Sequence, residues 1–194
     1  EKKLRFLLKD DIPGSLDYIL NSVAQMDRLL AGLLKISRLG RATLTMDEVD
    51  ANKVVAAVVE SLSFRLREMD AHVELDDLPS CRGDAGQLEQ VFANLLGNAV
   101  KYASPDRPLE IHVSGQITDG ETIYCIEDNG RGIAPEHQDK IFELFHRLDP
   151  GETDGEGLGL TTVRTILDRH SGRIWVESKP GEGSRFYVAI PAKE

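Results

Sequence analysis

Residues 84–102 read DAGQLEQVFANLLGNAVKY, and a single helix over Asp84–Tyr102 organises the rest of the chain. Leu88, Val91, Phe92, Leu95, Leu96 and Ala99 recur at i, i+3, i+4, i+7, i+8 and i+11, the broad apolar stripe of a helix laid on a core. Beside it runs a second stripe, Gln90, Asn94, Asn98 and Lys101. Exposed helix faces ordinarily carry Glu and Lys at this spacing. Asn is a poor interior residue because its short amide competes with the backbone for hydrogen bonds. Two asparagines one turn apart mark either a face that holds a ligand or a solvated face where two amides coincide. The helix alone leaves both open. Asp84 with Gln87 three residues on is a capping-box variant that starts the helix, and Ser104-Pro105 with Pro108 ends it.

Outward from that helix the chain divides. Upstream, Ile12, Leu16, Ile19, Val23, Met26, Leu30, Leu33 and Ser37 alternate steps of four and three, the seam of helices wound side by side. Leu20, Leu29, Leu34 and Ile36 widen it toward a multi-helix bundle, and Gly40 is placed to close the helix. One helix cannot bury such a seam, so its partners are a second copy of the chain, further sequence, or both. The chain opens on Glu and runs straight into periodic sequence, which suggests a piece of something longer. Thr43–Met46 alternates like an edge strand. Asp50 then caps a helix over Ala51–Arg67, Ala71–Leu75 is a strand, and Leu78–Gly83 a turn.

Downstream, Leu109–Ile117 and Thr122–Glu127 are strands joined by the hairpin signal Asp119-Gly120. Pro135–Phe142 is a short helical stretch, and His146–Gly155, poor in apolar residues, reads as a mobile lid. A helix opened by Gly155–Leu160 runs to about His170 and is capped by Gly172. Two strands close the chain, Arg173–Glu177 and Ser184–Ile190. The sum is an α+β fold: a two-layer sandwich of a mixed, mainly antiparallel sheet with helices on one face, preceded by a long coiled-coil-like helix.

Composition removes several functions. A net charge of −10 argues against nucleic acid and against an anionic membrane surface. Cys81 and Cys125 stand far apart with no CxxC, as ordinary thiols of a reducing compartment. The longest apolar run, Val54–Val59, is far too short to span a bilayer.

Glycines cluster at three element junctions: Gly130/Gly132, Gly155/Gly157/Gly159 and Gly181/Gly183. The second precedes a helix, where backbone N–H groups and the helix dipole together favour a phosphate. It is neither a Rossmann fingerprint nor a Walker loop, since the βαβ unit and the GK[ST] are both absent. Asp128 ends an apolar strand and precedes Gly130, so its carboxylate can face the donor edge of an adenine amine or can simply hold a turn.

Taken in order, QVFANLLGNAVKYA, EDNGRGI, IFELFHRL, GEGLGL and GRIWVESKPGEGSRFYVAIP resemble the N box, glycine box, F box, lid and closing strands of sensor histidine kinase ATP-binding domains. These belong to the Bergerat-fold superfamily of gyrase, heat-shock chaperone, histidine kinase and MutL ATPases. The resemblance covers about Thr43–Pro191, and MDRLLAGLLKISRLGR is similar to the second helix of that family's dimerisation and phosphotransfer domain. It implies two domains, a partial dimerisation and phosphotransfer helix over 1–42 and an ATP-binding catalytic domain over 43–194. It implies ATP and Mg²⁺, a homodimer through the N-terminal helix, and a response regulator as partner. It also implies a cytoplasmic kinase core, with the membrane attachment of the parent left open.

Carried over position by position, the resemblance gives Asn98 to Mg²⁺, with Asn94 supporting the ion or its waters. Lys101 would meet the phosphates, Tyr102 would pack on the nucleotide, and Asp128 would bind the adenine amino group with Gly130 and Gly132 giving room. Arg147 is the candidate for the γ-phosphate, and Gly155, Gly157, Leu158 and Gly159 form the lid hinge and phosphate cradle. Phe142 and Phe145 would pack the lid, Gly183 would bend a strand under the pocket, and Ser184 is an open case.

Two departures stand out. Glu156 places a carboxylate among the phosphate-binding glycines, which weighs against ATP affinity. The family's phosphoacceptor histidine is missing, since none of His72, His112, His137, His146 and His170 has its context. His170 reads as a helix C-terminal residue that complements the dipole. Three functions follow: a protein-histidine kinase core whose acceptor lies outside these residues; an ATPase or serine kinase of the same superfamily; or a degenerate nucleotide-binding scaffold. Asn94 favours the first. The hydrolases carry a glutamate base one turn before the metal-binding asparagine, and an amide there cannot take a proton.

Overall fold

A computed structural model describes residues 12–41, 43–144 and 158–192. The chain forms two compact units, 1–38 and 39–194. The described residues of the first lie in one helix, α1 (Ile12–Arg41), whose seam residues Ile12, Leu16, Ile19, Val23, Met26, Leu30 and Leu33 are all exposed. Gly40 lies inside α1, so the expected glycine stop is replaced by a helix that continues to Arg41.

The second unit runs β1 (Asp47–Val49), α2 (Ala51–Glu68), β2 (His72–Leu75), β3 (Cys81–Gly83), α3 (Ala85–Lys101), β4 (Glu110–Thr118) and β5 (Glu121–Asp128). Then come α4 (Pro135–Gln138), a 3₁₀ turn (Lys140–Phe142), α5 (Gly159–Arg169), β6 (Arg173–Lys179) and β7 (Gly183–Pro191). Five strands form one sheet in the order β2-β4-β5-β7-β6, with β2 parallel to β4 and the other pairs antiparallel. Along β5 every second residue is buried, the period of a strand with one face against a core. This is the expected α+β layering.

The helix layer is built on α3. Asp84 caps it by accepting from the Gln87 N–H at 3.1 Å, and its stripe Leu88, Val91, Phe92, Leu95, Leu96 and Ala99 is buried to the last residue. Each of these except Ala99 contributes roughly 1.5–3 kcal/mol of transfer free energy, which outweighs the poor helix propensity of the asparagines. Phe92 meets the buried Tyr124 of β5 edge to face at 5.4 Å, and this joins the two layers.

Three local expectations are corrected. The strand expected at Thr43–Met46 lies later, at Asp47–Val49, and pairs antiparallel with Cys81–Gly83 inside the segment expected to be a turn. The alternation at 43–46 is not backed by burial, whereas Val49 and Cys81 are both buried. At the end of α5, Ser171 takes the left-handed conformation (φ 54°) and the Gly172 N–H returns to Leu167 O at 2.8 Å. Gly172 is required for a different reason: a Cβ there would stand 2.4 Å from Ala189 O. Among the described residues no helix is long and apolar enough to cross a membrane.

Candidate functional site

The carboxamide stripe of α3 faces the start of α5. Asn94 donates its Nδ2–H to Gln90 O at 2.8 Å, which turns Oδ1 toward Gly159, the first residue of α5. A Cβ on Gly159 would stand 3.2 Å from that oxygen. The N-terminus of α5 has the buried Leu158 at its cap position, and among the described residues no side chain accepts its amides. Among the described residues the amides of the first turn therefore have no side-chain partner, and they lie with the positive dipole end beside the Asn94 carboxamide, an arrangement suited to anionic oxygens. One turn on from Asn94, Asn98 is half-buried, and among the described residues its carboxamide has no hydrogen-bond partner. Lys101 follows, its Nζ 5.0 Å from the centroid of the Tyr102 ring.

Among the described residues no three His, Cys, Asp or Glu side chains gather to hold a metal. The described oxygen donors on this wall include the amides of Asn94 and Asn98. Such a sparse oxygen set fits a hard divalent ion that keeps most of its own waters and is completed by phosphate, and does not fit a soft metal.

The other end is Asp128, last residue of β5 and 9% exposed. Burial pushes its carboxyl up to about 6, against hydrogen bonds from the backbone of Gly130 and Ser184 that pull it down. The Gly130 N–H donates to Asp128 Oδ1 at 2.8 Å. No side chain fits here. A Cβ on Gly130 would lie 2.6 Å from Tyr102 O, one on Gly132 (φ 71°) 2.1 Å from Lys179 O, and one on Gly183 (φ 112°) 1.9 Å from Asp128 O. Gly130 thus sits between the C-terminal turn of α3 and the Asp128 carboxylate, while Gly183 lies against the Asp128 backbone.

Sequence reasoning passed over the residues that knit this corner. Arg107 donates to Asn129 O, Gly130 O and Gly181 O at 2.7, 3.0 and 2.6 Å. Asn129 accepts from the Glu110 N–H and donates to Pro108 O, both at 3.0 Å. Ser178 accepts from the Ile133 N–H, donates to Gly183 O and lies 3.0 Å from the Ser184 hydroxyl. Ser184 is thus tied into the strand pair beneath Asp128, with its hydroxyl already engaged.

His170 is also corrected. It is 2% exposed; Nδ1 donates to Ile166 O at 2.7 Å, and Nε2 accepts from the Asp84 N–H at 3.0 Å. A carbonyl can only accept and an amide N–H only donate, so the ring is held as the neutral Nδ1–H tautomer. It is not a cation at a helix end. It closes the α3 cap in place of the reciprocal bond expected from Gln87, whose Oε1 instead accepts from Arg169.

The structure thus brings Asn94, Asn98 and Gly159 onto one wall and Asp128, Gly130, Gly132 and the Tyr102 carbonyl onto another. Phe142 packs against the core, as expected. Arg147, Gly155 and Gly157, together with Phe145, His146 and Glu156, lie outside the described residues.

Residues 83–194 match the family of histidine kinase-, DNA gyrase B-, and HSP90-like ATPases. The phytochrome-like protein Cph1 of Synechocystis sp. is 34% identical over 185 residues, covering 95% of this chain and 25% of its own length. The methanogenesis regulatory histidine kinase FilI of Methanothrix harundinacea is 36% identical over 184 residues, 94% of this chain and 20% of its own. The chain therefore spans a quarter or less of these relatives. Among solved structures, full-length ShkA in complex with AMPPNP superposes with a TM-score of 0.74 at 28% identity, over 93% of this chain and 39% of that one. Since the family match takes in more than half of the sequence, the chain belongs to the histidine kinase-, DNA gyrase B- and HSP90-like ATPases.

Proposed function

We propose that the chain is the catalytic core of a two-component sensor histidine kinase, with residues 1–42 part of the dimerisation and phosphotransfer helices and 43–194 the ATP-binding domain. The observation that carries this reading is the seating of Gly159 against Asn94, which sets an uncapped helix N-terminus beside an asparagine wall. ATP is the substrate. Asp128 accepts from the adenine amino group, with Gly130 and Gly132 leaving room and Tyr102 packing on the nucleotide. The amides at Leu158 and Gly159, with Gly155 and Gly157, hold phosphate oxygens, while Lys101 and Arg147 add positive charge. Asn98, with Asn94 beside it, holds Mg²⁺, whose charge offsets that of the phosphates.

Catalysis on this reading is positioning and charge neutralisation. The acceptor imidazole nitrogen forms a bond to the γ-phosphorus as the bond to the bridging oxygen breaks, and ADP leaves. That imidazole comes from residues other than these 194. His170 is buried in a neutral tautomer and His112 faces Asp76 at 3.1 Å, and neither has the acceptor context. Onward transfer to a response regulator, and a homodimer that covers the exposed α1 seam, complete the proposal. The hydrolase reading is disfavoured because the position of its glutamate base is Asn94, an amide that takes no proton and donates to Gln90 O.

The test is incubation with Mg²⁺ and γ-labelled ATP, alone and with a dimerisation domain carrying an acceptor histidine. Calorimetry should show nucleotide binding, and label should appear only on the added domain. Label on the isolated chain would refute the acceptor placement, and no binding at millimolar nucleotide would favour the degenerate scaffold. Asn94→Glu separates the hydrolase: a large gain in ATP hydrolysis would mean that a water-ready site had lacked only its base.

A further inference from the structure

We infer that Arg107 is a positioning residue for base recognition, aiming the Asp128 carboxylate through the Asn129–Gly130 peptide, an assignment that rests on the adenine reading of Asp128 proposed above. Arg107 sits between Pro105 and Pro108 in the connection from α3 to β4, outside every motif of the sequence. Its guanidinium takes carbonyls from two separate turns, Asn129 O and Gly130 O after β5 and Gly181 O between β6 and β7.

The consequence lies in which peptide units are held. Asn129 C=O and Gly130 N–H belong to one peptide. In a trans peptide these groups point in opposite directions, so fixing one aims the other. Arg107 Nε holds the carbonyl at 2.7 Å, and the amide then falls on Asp128 Oδ1 at 2.8 Å. The next peptide is pinned in the same way. Its Gly130 carbonyl accepts from Arg107 Nη2 at 3.0 Å, and its Arg131 amide donates to Tyr102 O at 3.0 Å. The third bond carries the grip to the turn before Gly183, whose backbone leaves no space beside Asp128 O. A cation on the carbonyl also polarises the peptide and strengthens the bond its N–H donates. Three carbonyls at fixed angles match a planar fork and not the point charge of a lysine.

The experiment compares ATP with ITP, whose base lacks the exocyclic amine, by calorimetry with Mg²⁺ on the whole chain and on Arg107→Ala and Arg107→Lys. The chain should prefer ATP. Arg107→Ala should lose about 10-fold in ATP affinity, the scale of one charged hydrogen bond, while ITP changes by less than about 2-fold. Arg107→Lys should keep part of the preference. Added methylguanidinium should restore some of it to Arg107→Ala, which repair of a general folding defect would not do selectively. Should Arg107→Ala not fold, Arg107→Lys carries the test with a loss of about 3-fold confined to ATP. An unchanged ATP-to-ITP ratio in the variant that folds overturns the inference while leaving Asp128 as the reader of the base. No preference for ATP in the unmodified chain overturns the adenine reading itself, and this inference with it.

Discussion

At the Asp128 end of the site the backbone is held from several sides at once: Arg107, Asn129 and Ser178 supply side-chain bonds, and Gly130, Gly132 and Gly183 sit where no Cβ fits. At the Asn94 end the groups are presented and left open. Asn98 has no partner among the described residues, and the first amides of α5 have no cap. The contrast matches what each end would meet under the proposed function. A base is flat and neutral, and discriminating it depends on a few hydrogen-bonding groups fixed in advance, here the accepting carboxylate of Asp128, whereas phosphate and a divalent ion bring strong charge that can organise polar groups on arrival. The cost of preorganisation falls on Asp128, which is buried before any ligand donates to it.

The sharpest way to break the contrast is to disturb the closed end mechanically. Gly183→Ala puts a methyl group 1.9 Å from Asp128 O at a φ of 112°, and it should destabilise the domain by about 3–5 kcal/mol, near the limit seen for single substitutions. Chemical denaturation with unchanged m-value checks it. A loss below about 1 kcal/mol would mean the corner is looser than the geometry implies.

At the open end the same logic predicts the opposite pattern. Asn98→Ala should leave the unfolding midpoint nearly unmoved, because its amide bonds to nothing among the described residues, yet lower Mg²⁺-dependent nucleotide affinity on the order of 100-fold. Calorimetry with and without Mg²⁺ separates the two effects. A stability loss comparable with that of Gly183→Ala would erase the distinction between the ends.

Asp128 links the two patterns through pH. Its carboxyl titrates at about 6 in the folded chain against an ordinary 3.8. The folded state therefore holds the proton more tightly, and this group's contribution to stability falls as pH rises from about 4 to about 6. Above that window the ionised carboxylate costs the ligand-free protein about 3 kcal/mol at most. Asp128→Asn should accordingly stabilise the ligand-free chain by roughly 1–3 kcal/mol at pH 7.5 and by almost nothing at pH 4. It should also weaken ATP binding. Denaturant melts at the two pH values test the sign; equal effects at both would show that the burial of Asp128 carries no electrostatic cost.

These contrasts were legible in the sequence to unequal degrees. The α3 stripe, the Asp84 cap and the Asp119-Gly120 hairpin rest on periodicity and turn chemistry within a dozen residues, and all three stand in the structure. The carboxamide wall was legible because two asparagines break the usual composition of a helix face. Arg107 and His170 were not. Their partners are backbone carbonyls and amides supplied by distant segments, such as Asp84 N–H for His170, and backbone groups leave no mark in residue identity. The β1–β3 pair failed for a related reason: strands of three residues are too short to show a period, and the partner lies across α2 and β2.

Gly159 offers the finest test, because two effects of similar size oppose each other there. Alanine at the first position of α5 removes the conformational freedom of glycine, worth about 0.5–1 kcal/mol of helix stability. The same methyl stands 3.2 Å from Asn94 Oδ1, close enough that the amide must move by a few tenths of an ångström. Asn94 is anchored on its other side by the bond to Gln90 O, so it can yield only by lengthening that bond or turning its oxygen away from the wall. The ligand-free domain should therefore be as stable as before or slightly more so, while nucleotide affinity falls a few-fold, on the order of 0.5–1 kcal/mol. A double-mutant cycle with Asn94→Ala isolates the contact, since the affinity loss should vanish once the amide is gone. If it persists, the methyl acts on the helix amides themselves, and the open end is defined by α5 alone, without the asparagine wall.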